Sequence, residues 1–90
     1  MSKVHELKVW PEFWPAENND KLFELRKNDR DFRLGDILRL REWSYSDGYT
    51  GRESLKRVTF IVSGLPWIAD GFVCMGLQTF NPEKYSGNII

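Results

Sequence analysis

The sequence predicts an α+β fold: a mixed sheet of about five or six strands curled into a small barrel, with one short helix near the N-terminus. Three observations carry that expectation. Five runs show the period of two that marks a half-buried strand. The connections between them are mostly short and rich in Gly, Asp, Asn and Pro. The one stretch with the character of a helix start opens at Pro11, between the first and second strands. Ninety residues supply one core and not two, so residues 1–80 are expected as a single domain. Residues 81–90 carry Pro, Gly and Asn without a pattern and read as a surface tail.

The first strand runs from Val4 to Trp10, where His5, Leu7 and Val9 alternate with Glu6, Lys8 and Trp10; either set can line the core. Pro11 then opens the short helix, at the first-turn position where its missing N–H costs nothing. Phe13 and Trp14 would pack that helix on the barrel. Pro15 makes it short or irregular, and Asn19 would end it. The second strand, Leu22 to Arg26, sets Phe23 and Leu25 on one face and Glu24 with Arg26 on the other, with Lys21 at its mouth. Opposite charges on one face are either a surface pair worth ~0–1 kcal/mol or the polar floor of a pocket.

Lys27 to Asp31 is a charged connection, anchored by Phe32 and Leu34, and Gly35-Asp36 turns into the strand Ile37 to Trp43. There Leu38 and Leu40 alternate with Arg39 and Arg41, as in a sheet with one wet face. Ser44 to Ser54 reads as a loop holding Gly48-Tyr49-Thr50-Gly51-Arg52. Its Tyr49 offers a ring for base stacking, and Arg52 a fork for a phosphate or carboxylate. A rigid turn with a packed Tyr49 accounts for the glycines and the ring equally well. Val58 to Ser63 is the next strand, with Val58, Phe60 and Val62 inward, and Gly64-Leu65-Pro66 breaks it. After the Asp70-Gly71 turn, Phe72 to Phe80 begins apolar on both faces, as a covered central strand does. The expected core is Leu7, Val9, Phe23, Leu25, Leu38, Leu40, Val58, Phe60 and Val62.

Charge and cysteine usage narrow the function. Thirteen Lys and Arg balance thirteen Asp and Glu, so the long-range positive field of a strong non-specific nucleic-acid binder is missing and any such contact must be local. Cys74 alone can form no internal disulfide, which fits a reducing cytoplasm. No apolar run suggests a signal peptide or reaches the ~20 residues of a membrane span. His5 has no second imidazole or thiolate at ligand spacing and reads as structural. No motif calls for a metal or cofactor, and none builds a phosphate-cradling loop or a nucleophile triad.

The run Asn19-Asp20-Lys21-Leu22-Phe23-Glu24-Leu25-Arg26 resembles the G-x-K-T-x-E-x-R signature of ASCH domains, which belong to the PUA-like barrels. Lys27 to Phe32, Gly35-Asp36-Ile37-Leu38, Arg41-Glu42-Trp43, Gly48 to Arg52 and Asp70-Gly71-Phe72-Val73 resemble, in order, the bacterial and phage branch known as DUF3850. The likeness runs from His5 to about Leu77. It implies a PUA-like barrel with a ligand cleft between the barrel and the N-terminal helix, toward which the lysine matching Lys8 points. The expected function is therefore that of a module binding RNA, or a free nucleotide or nucleoside. Lys8, Lys21 and Arg26 would neutralise phosphate, Glu24 would hydrogen-bond a base edge, and Trp10, Trp14 or Tyr49 would stack, with Arg52 on the recognition loop. The alternative is a small amidohydrolase acting on acylated cytosine nucleosides, with Lys21 as base. The Thr that such enzymes use beside the lysine corresponds to Glu24 here, and Leu22 replaces the signature's hydroxyl residue.

Overall fold

The computed structural model describes residues 3–14 and 21–79. Five strands, β1 (Val4–Val9), β2 (Phe23–Lys27), β3 (Ile37–Ser44), β4 (Gly48–Ser63) and β5 (Phe72–Thr79), form one sheet in the order β1-β3-β4-β5-β2. β1 lies parallel to β3, and every other neighbouring pair is antiparallel. The sheet curls into a half-barrel whose two edges, β1 and β2, face each other across an open seam. Its inner face holds the core, including Leu7, Val9, Leu38, Leu40, Val58, Val73 and Met75. Each such side chain contributes about 1.5–3 kcal/mol of burial. On β1 the structure selects His5, Leu7 and Val9 as the inward set.

The expected α+β class is corrected: among the described residues the chain is all-β. Where the N-terminal helix was expected there is one 3-10 turn, Pro11–Phe13, and Trp14 after it is already extended at φ −81°, ψ 127°. Pro15 explains this. A residue before proline is driven out of the α region by the ring's Cδ, and the proline has no N–H to continue a helical ladder. The expected end of that helix at Asn19 lies outside the described residues, as does the tail 81–90. The expected barrel closure is corrected as well, because no backbone pairing joins β1 to β2.

Three further expectations on strand phase change. β2 is inverted: Glu24 is buried at 6% exposure, whereas Phe23 and Leu25 stand outside at 60% and 56%. Pairing with β5 fixes this phase, since Glu24 lies opposite Met75 and Arg26 opposite Val73, both core residues. On β4 the register shifts between Val58, opposite Leu77, and Phe60, opposite Gly76. Thr59 is the extra residue of this β-bulge, so Val58 stays inward while Phe60 and Val62 move to the outer face, and Ile61 packs on the core instead. The supposed recognition loop 44–54 is a hairpin. β3 turns at Tyr45–Asp47 into a 16-residue β4, and Gly48 supplies the positive φ of 66° that the turn requires.

The entry to β3 is clamped by Asp36, itself buried. One carboxylate oxygen accepts the backbone N–H of Lys3 at 3.1 Å, and the other accepts that of Arg33 at 3.0 Å and His5 Nε2 at 2.8 Å. The imidazole meets Phe32 edge-on at 4.7 Å. Burial alone would raise the Asp36 pKa; the hydrogen bond from His5 and the backbone N–H groups of Lys3 and Arg33 outweigh it and hold the carboxyl below its ordinary 3.8. A folded-state pKa below the unfolded one gives stability that is complete above the unfolded value and is lost as pH falls toward the folded one. Asp36→Ala should therefore cost about 2–4 kcal/mol in urea unfolding near neutral pH, since it strands the buried His5 ring and two partly buried backbone N–H groups. The gap between variant and wild type should narrow as pH falls below about 4. A cost under about 1 kcal/mol, or a gap independent of pH, would show that the clamp is incidental.

Candidate functional site

At the seam, among the described residues, no strand pairs with the outer edge of β1. On β1 the carbonyls of Glu6 and Lys8 point away from β3, and two arginines reach across to them. Arg30 Nη1 donates to Glu6 O at 2.6 Å, and Arg26 Nη2 donates to Lys8 O. Arg26 is held in place because its Nε also pairs with Glu24 Oε2. Lys21 completes the cluster, with Nζ 3.2 Å from Glu24 Oε1 and donating to Phe13 O at 3.3 Å. Glu24 is thus a buried carboxylate gripped from both sides, the arrangement under which a buried charge is tolerated.

Above this cluster runs an open groove of about 790 Å³. Lys8, Val9, Trp10 and Phe13 form one wall; residues 21–27 with Phe72 form the other. Consecutive residues of β2 line it because the strand's edge, not one of its faces, makes the wall. Among the described residues the groove is lined by four cations, Lys8, Lys21, Arg26 and Lys27, and one carboxylate, Glu24, in a chain whose net charge is zero.

Trp10 leads from the groove to an aromatic patch on the outer face of β1, β3 and β4. Its ring lies 5.6 Å from Trp43 and 5.0 Å from Tyr45, and those two are 5.0 Å apart, all in edge-on or tilted contact. Lys8 Nζ sits over Trp43 at 4.5 Å and 6.0 Å from Tyr49, while the Arg41 guanidinium covers Tyr49 at 3.8 Å. Below the patch, Glu6, Arg39, Arg41 and Glu53 form a ladder of ion pairs. The Arg39 hydrogen bond holds the Glu53 carboxyl below its ordinary range.

Of the residues singled out in the sequence, Lys8, Trp10, Lys21, Glu24 and Arg26 line one groove, and Tyr49 adjoins it through Lys8. Arg52 does not join them. It lies beside buried Glu42, Nε to Oε1 at 3.7 Å, and Thr50 donates to the same oxygen at 2.7 Å, so Arg52 serves the stretch where the β3–β4 register shifts between Arg41 and Trp43. Trp14 packs against the core. Arg41, Trp43 and Tyr45 were not singled out as binding residues. The signal was present, since Arg39, Arg41 and Trp43 alternate outward and a hairpin places Tyr49 opposite Trp43, but it is visible only once 44–54 is recognised as a hairpin. Among the described residues, no three His, Cys, Asp or Glu side chains stand together as a metal ion needs. No helix there is long and apolar enough to cross a membrane.

Chemically the groove offers fixed positive charge, an apolar wall and adjacent rings. Lys21 is engaged by Glu24 and a carbonyl, and Leu22 gives no hydroxyl beside it. Fold and site together define a class: a small β half-barrel with a cationic, aromatic-rimmed groove at its open seam. The chain belongs to the family described as a domain of unknown function, DUF3850, whose model matches residues 4–77. It is also similar to a protein of Escherichia phage P2 described as "Uncharacterized 12.9 kDa protein in GpA 3'region", with 34% identity over 71 residues. The match covers 78% of this chain and 64% of that relative, so the chain spans under two thirds of the relative's length.

The triad also makes a prediction about stability. Arg26→Ala should destabilise the domain by about 2–4 kcal/mol, because it uncaps Lys8 O and leaves buried Glu24 with Lys21 alone. Lys21→Ala should cost less, since Arg26 remains on the carboxylate. Equal, sub-kilocalorie losses for both variants in chemical unfolding would mean that Glu24 does not depend on its partners.

Proposed function

We propose that the protein binds single-stranded RNA or a free nucleotide, with phosphate in the groove and a base on the aromatic patch. The observation that carries this is the concentration, among the described residues, of four cations and one carboxylate in a groove that opens, through Trp10, onto Trp43, Tyr45 and Tyr49. Rings beside a cationic track are the means by which single strands are held without base-specific readout. Lys8 is the link, since its ammonium can leave Trp43 for a phosphate and so free the indole face for a base. The Lys21-x-x-Glu24-x-Arg26 spacing shared with ASCH domains supports the same assignment. In this arrangement Glu24 organises Lys21 and Arg26, and the cationic groups make the contact. A single unpaired Cys74 suits a cytoplasmic setting for such a module.

Tryptophan fluorescence gives a direct test, because Trp10 and Trp43 would lie under the ligand. Titration with short single-stranded RNAs and with nucleoside monophosphates at low salt should quench the emission saturably, and affinity should fall as salt rises. Trp43→Ala should weaken binding by about 1–3 kcal/mol, the loss of one stacked base. Lys8→Ala should weaken it and flatten the salt dependence. Absence of saturable quenching with every ligand, or unchanged affinity in both variants, would end the proposal.

A further inference from the structure

The hydrogen-bond phase of β2 follows from its two ends. Leu77 N donates to Leu22 O at 2.9 Å, and Asn28 N donates to Gly71 O at 2.8 Å. Both bonds keep the register that sets Glu24 opposite Met75 and Arg26 opposite Val73. In an antiparallel pair, directly bonded positions recur at every second residue, so Glu24 and Arg26 also spend their backbone groups on β5. Phe23 and Leu25 alternate with them and turn their N–H and C=O groups the other way, into the seam. Among the described residues no strand pairs with that edge.

The opposite wall offers a matching row. Glu6 O and Lys8 O leave the outer edge of β1 and are met by the tips of Arg30 and Arg26. Directly paired strands lie about 4.8 Å apart; here a whole arginine side chain crosses from one edge to the other, and a groove of about 790 Å³ stands in the gap. β1 and β2 run in opposite directions, as the four pairings require. A strand inserted antiparallel to β2 would therefore run parallel to β1, as β3 does on its other side.

We propose that the seam is a docking site for an extended, acidic peptide segment of a partner protein, which adds to β2 as a sixth strand. An unpaired edge is a template for such addition. One side of the segment bonds to the backbone of Phe23 and Leu25, and N–H groups on its other side take the places that the arginine tips hold on Glu6 O and Lys8 O. The charge is complementary as well, because Lys8, Lys21, Arg26 and Lys27 line the groove with Glu24 as the one carboxylate among the described residues. Glu24 is engaged by Lys21 and Arg26, which leaves the groove positive toward an incoming carboxylate. A sugar-phosphate backbone has no alternating N–H and C=O row to match this edge, so the backbone groups select a peptide where the charges alone would not. The inference stands on those backbone groups and goes beyond nucleotide binding; a strand in the seam would cover the phosphate position, so the two ligands would exclude each other.

The register specifies a probe. Taken in turn opposite Lys27, Arg26, Leu25, Glu24 and Phe23, the segment Glu-Glu-Val-Thr-Val sets carboxylates against the two cations and no charge against Glu24. Titration of this peptide, acetylated and amidated, into the full chain should saturate, and amide hydrogen exchange followed by NMR should slow at Phe23 and Leu25. Methylating the two valine nitrogens keeps the charge but removes two hydrogen bonds to β2, and should weaken binding by about tenfold or more. Leu25→Pro deletes one edge N–H where an edge strand tolerates proline; with the fold retained by circular dichroism, it should weaken binding too, and if it unfolds the chain the methylated peptide decides alone. Absence of saturable binding at millimolar peptide overturns the proposal. So does equal binding of the methylated peptide, which would mean that the groove attracts negative charge only, or unchanged exchange at Phe23 and Leu25. None of these outcomes uses RNA or a nucleotide, so failure here and failure of nucleotide binding are separate results.

Discussion

No backbone hydrogen bonds join the two edge strands of this sheet, β1 and β2, and the way the seam between them is held accounts for most of the rest. An open edge presents unpaired carbonyls, which in a compact domain must be covered, paired or wetted. Here Arg26 and Arg30 extend across the gap to Lys8 O and Glu6 O. Guanidinium groups suit the task, being planar, permanently charged and able to serve two acceptors at once. Arg26 does so, with one nitrogen on a β1 carbonyl and another on Glu24. The carboxylate can be buried because Arg26 and Lys21 grip it. The groove exists because side chains, unlike a sixth strand, bridge the gap without filling it.

The same constraint explains which parts of the fold were legible in the sequence. The β1, β3 and β5 strands, the Gly35-Asp36 and Asp70-Gly71 turns and the core positions on β1 and β3 follow from alternation and turn chemistry alone. Alternation fixes which residues share a face, but it does not say which face is inside. On β2 hydrophobicity pointed inward for Phe23 and Leu25, and pairing with β5 together with the Glu24 cluster decided otherwise. On β4 one additional residue, Thr59, moved Phe60 and Val62 to the outside, and a single-residue bulge leaves no mark in composition. The helix fails for a reason written in the chain: Pro15 holds Trp14 out of the α region.

Within the candidate site, Lys8, Trp10, Lys21, Glu24 and Arg26 were readable as a set through the family resemblance, which carries Lys8 toward a cleft, and the structure brings them to one groove because the first two strands lie on opposite sides of the seam. The aromatic half was not, because it depends on the β3–β4 hairpin bringing Trp43 against Tyr49. Neutral overall charge also concealed the site. Segregation does what net charge does not: Glu6 and Glu53 neutralise Arg39 and Arg41 within the ladder, while among the described residues Glu24 is the one carboxylate in a groove lined by Lys8, Lys21, Arg26 and Lys27. The ladder's carboxylates are spent on their own arginines, which leaves Lys8 free to lie over Trp43.

A buried carboxylate held by a lysine and an arginine is weak ground for stability, since the desolvation of three charged groups offsets much of their mutual attraction. An apolar side chain at position 24, opposite Met75, would fill the inner face at lower electrostatic cost. It would also release Arg26 from Glu24 and Lys21 from the groove wall, so that both ends of the cationic track would become long, mobile side chains without a fixed geometry. The inverted phase of β2 therefore places charge inside where a simpler core would hold Phe23 and Leu25, and places those two outside where water would be met. Both consequences come from one choice of strand phase, and they meet along the edge of β2, where the exposed Phe23 and Leu25 line the groove beside Lys21, Glu24 and Arg26.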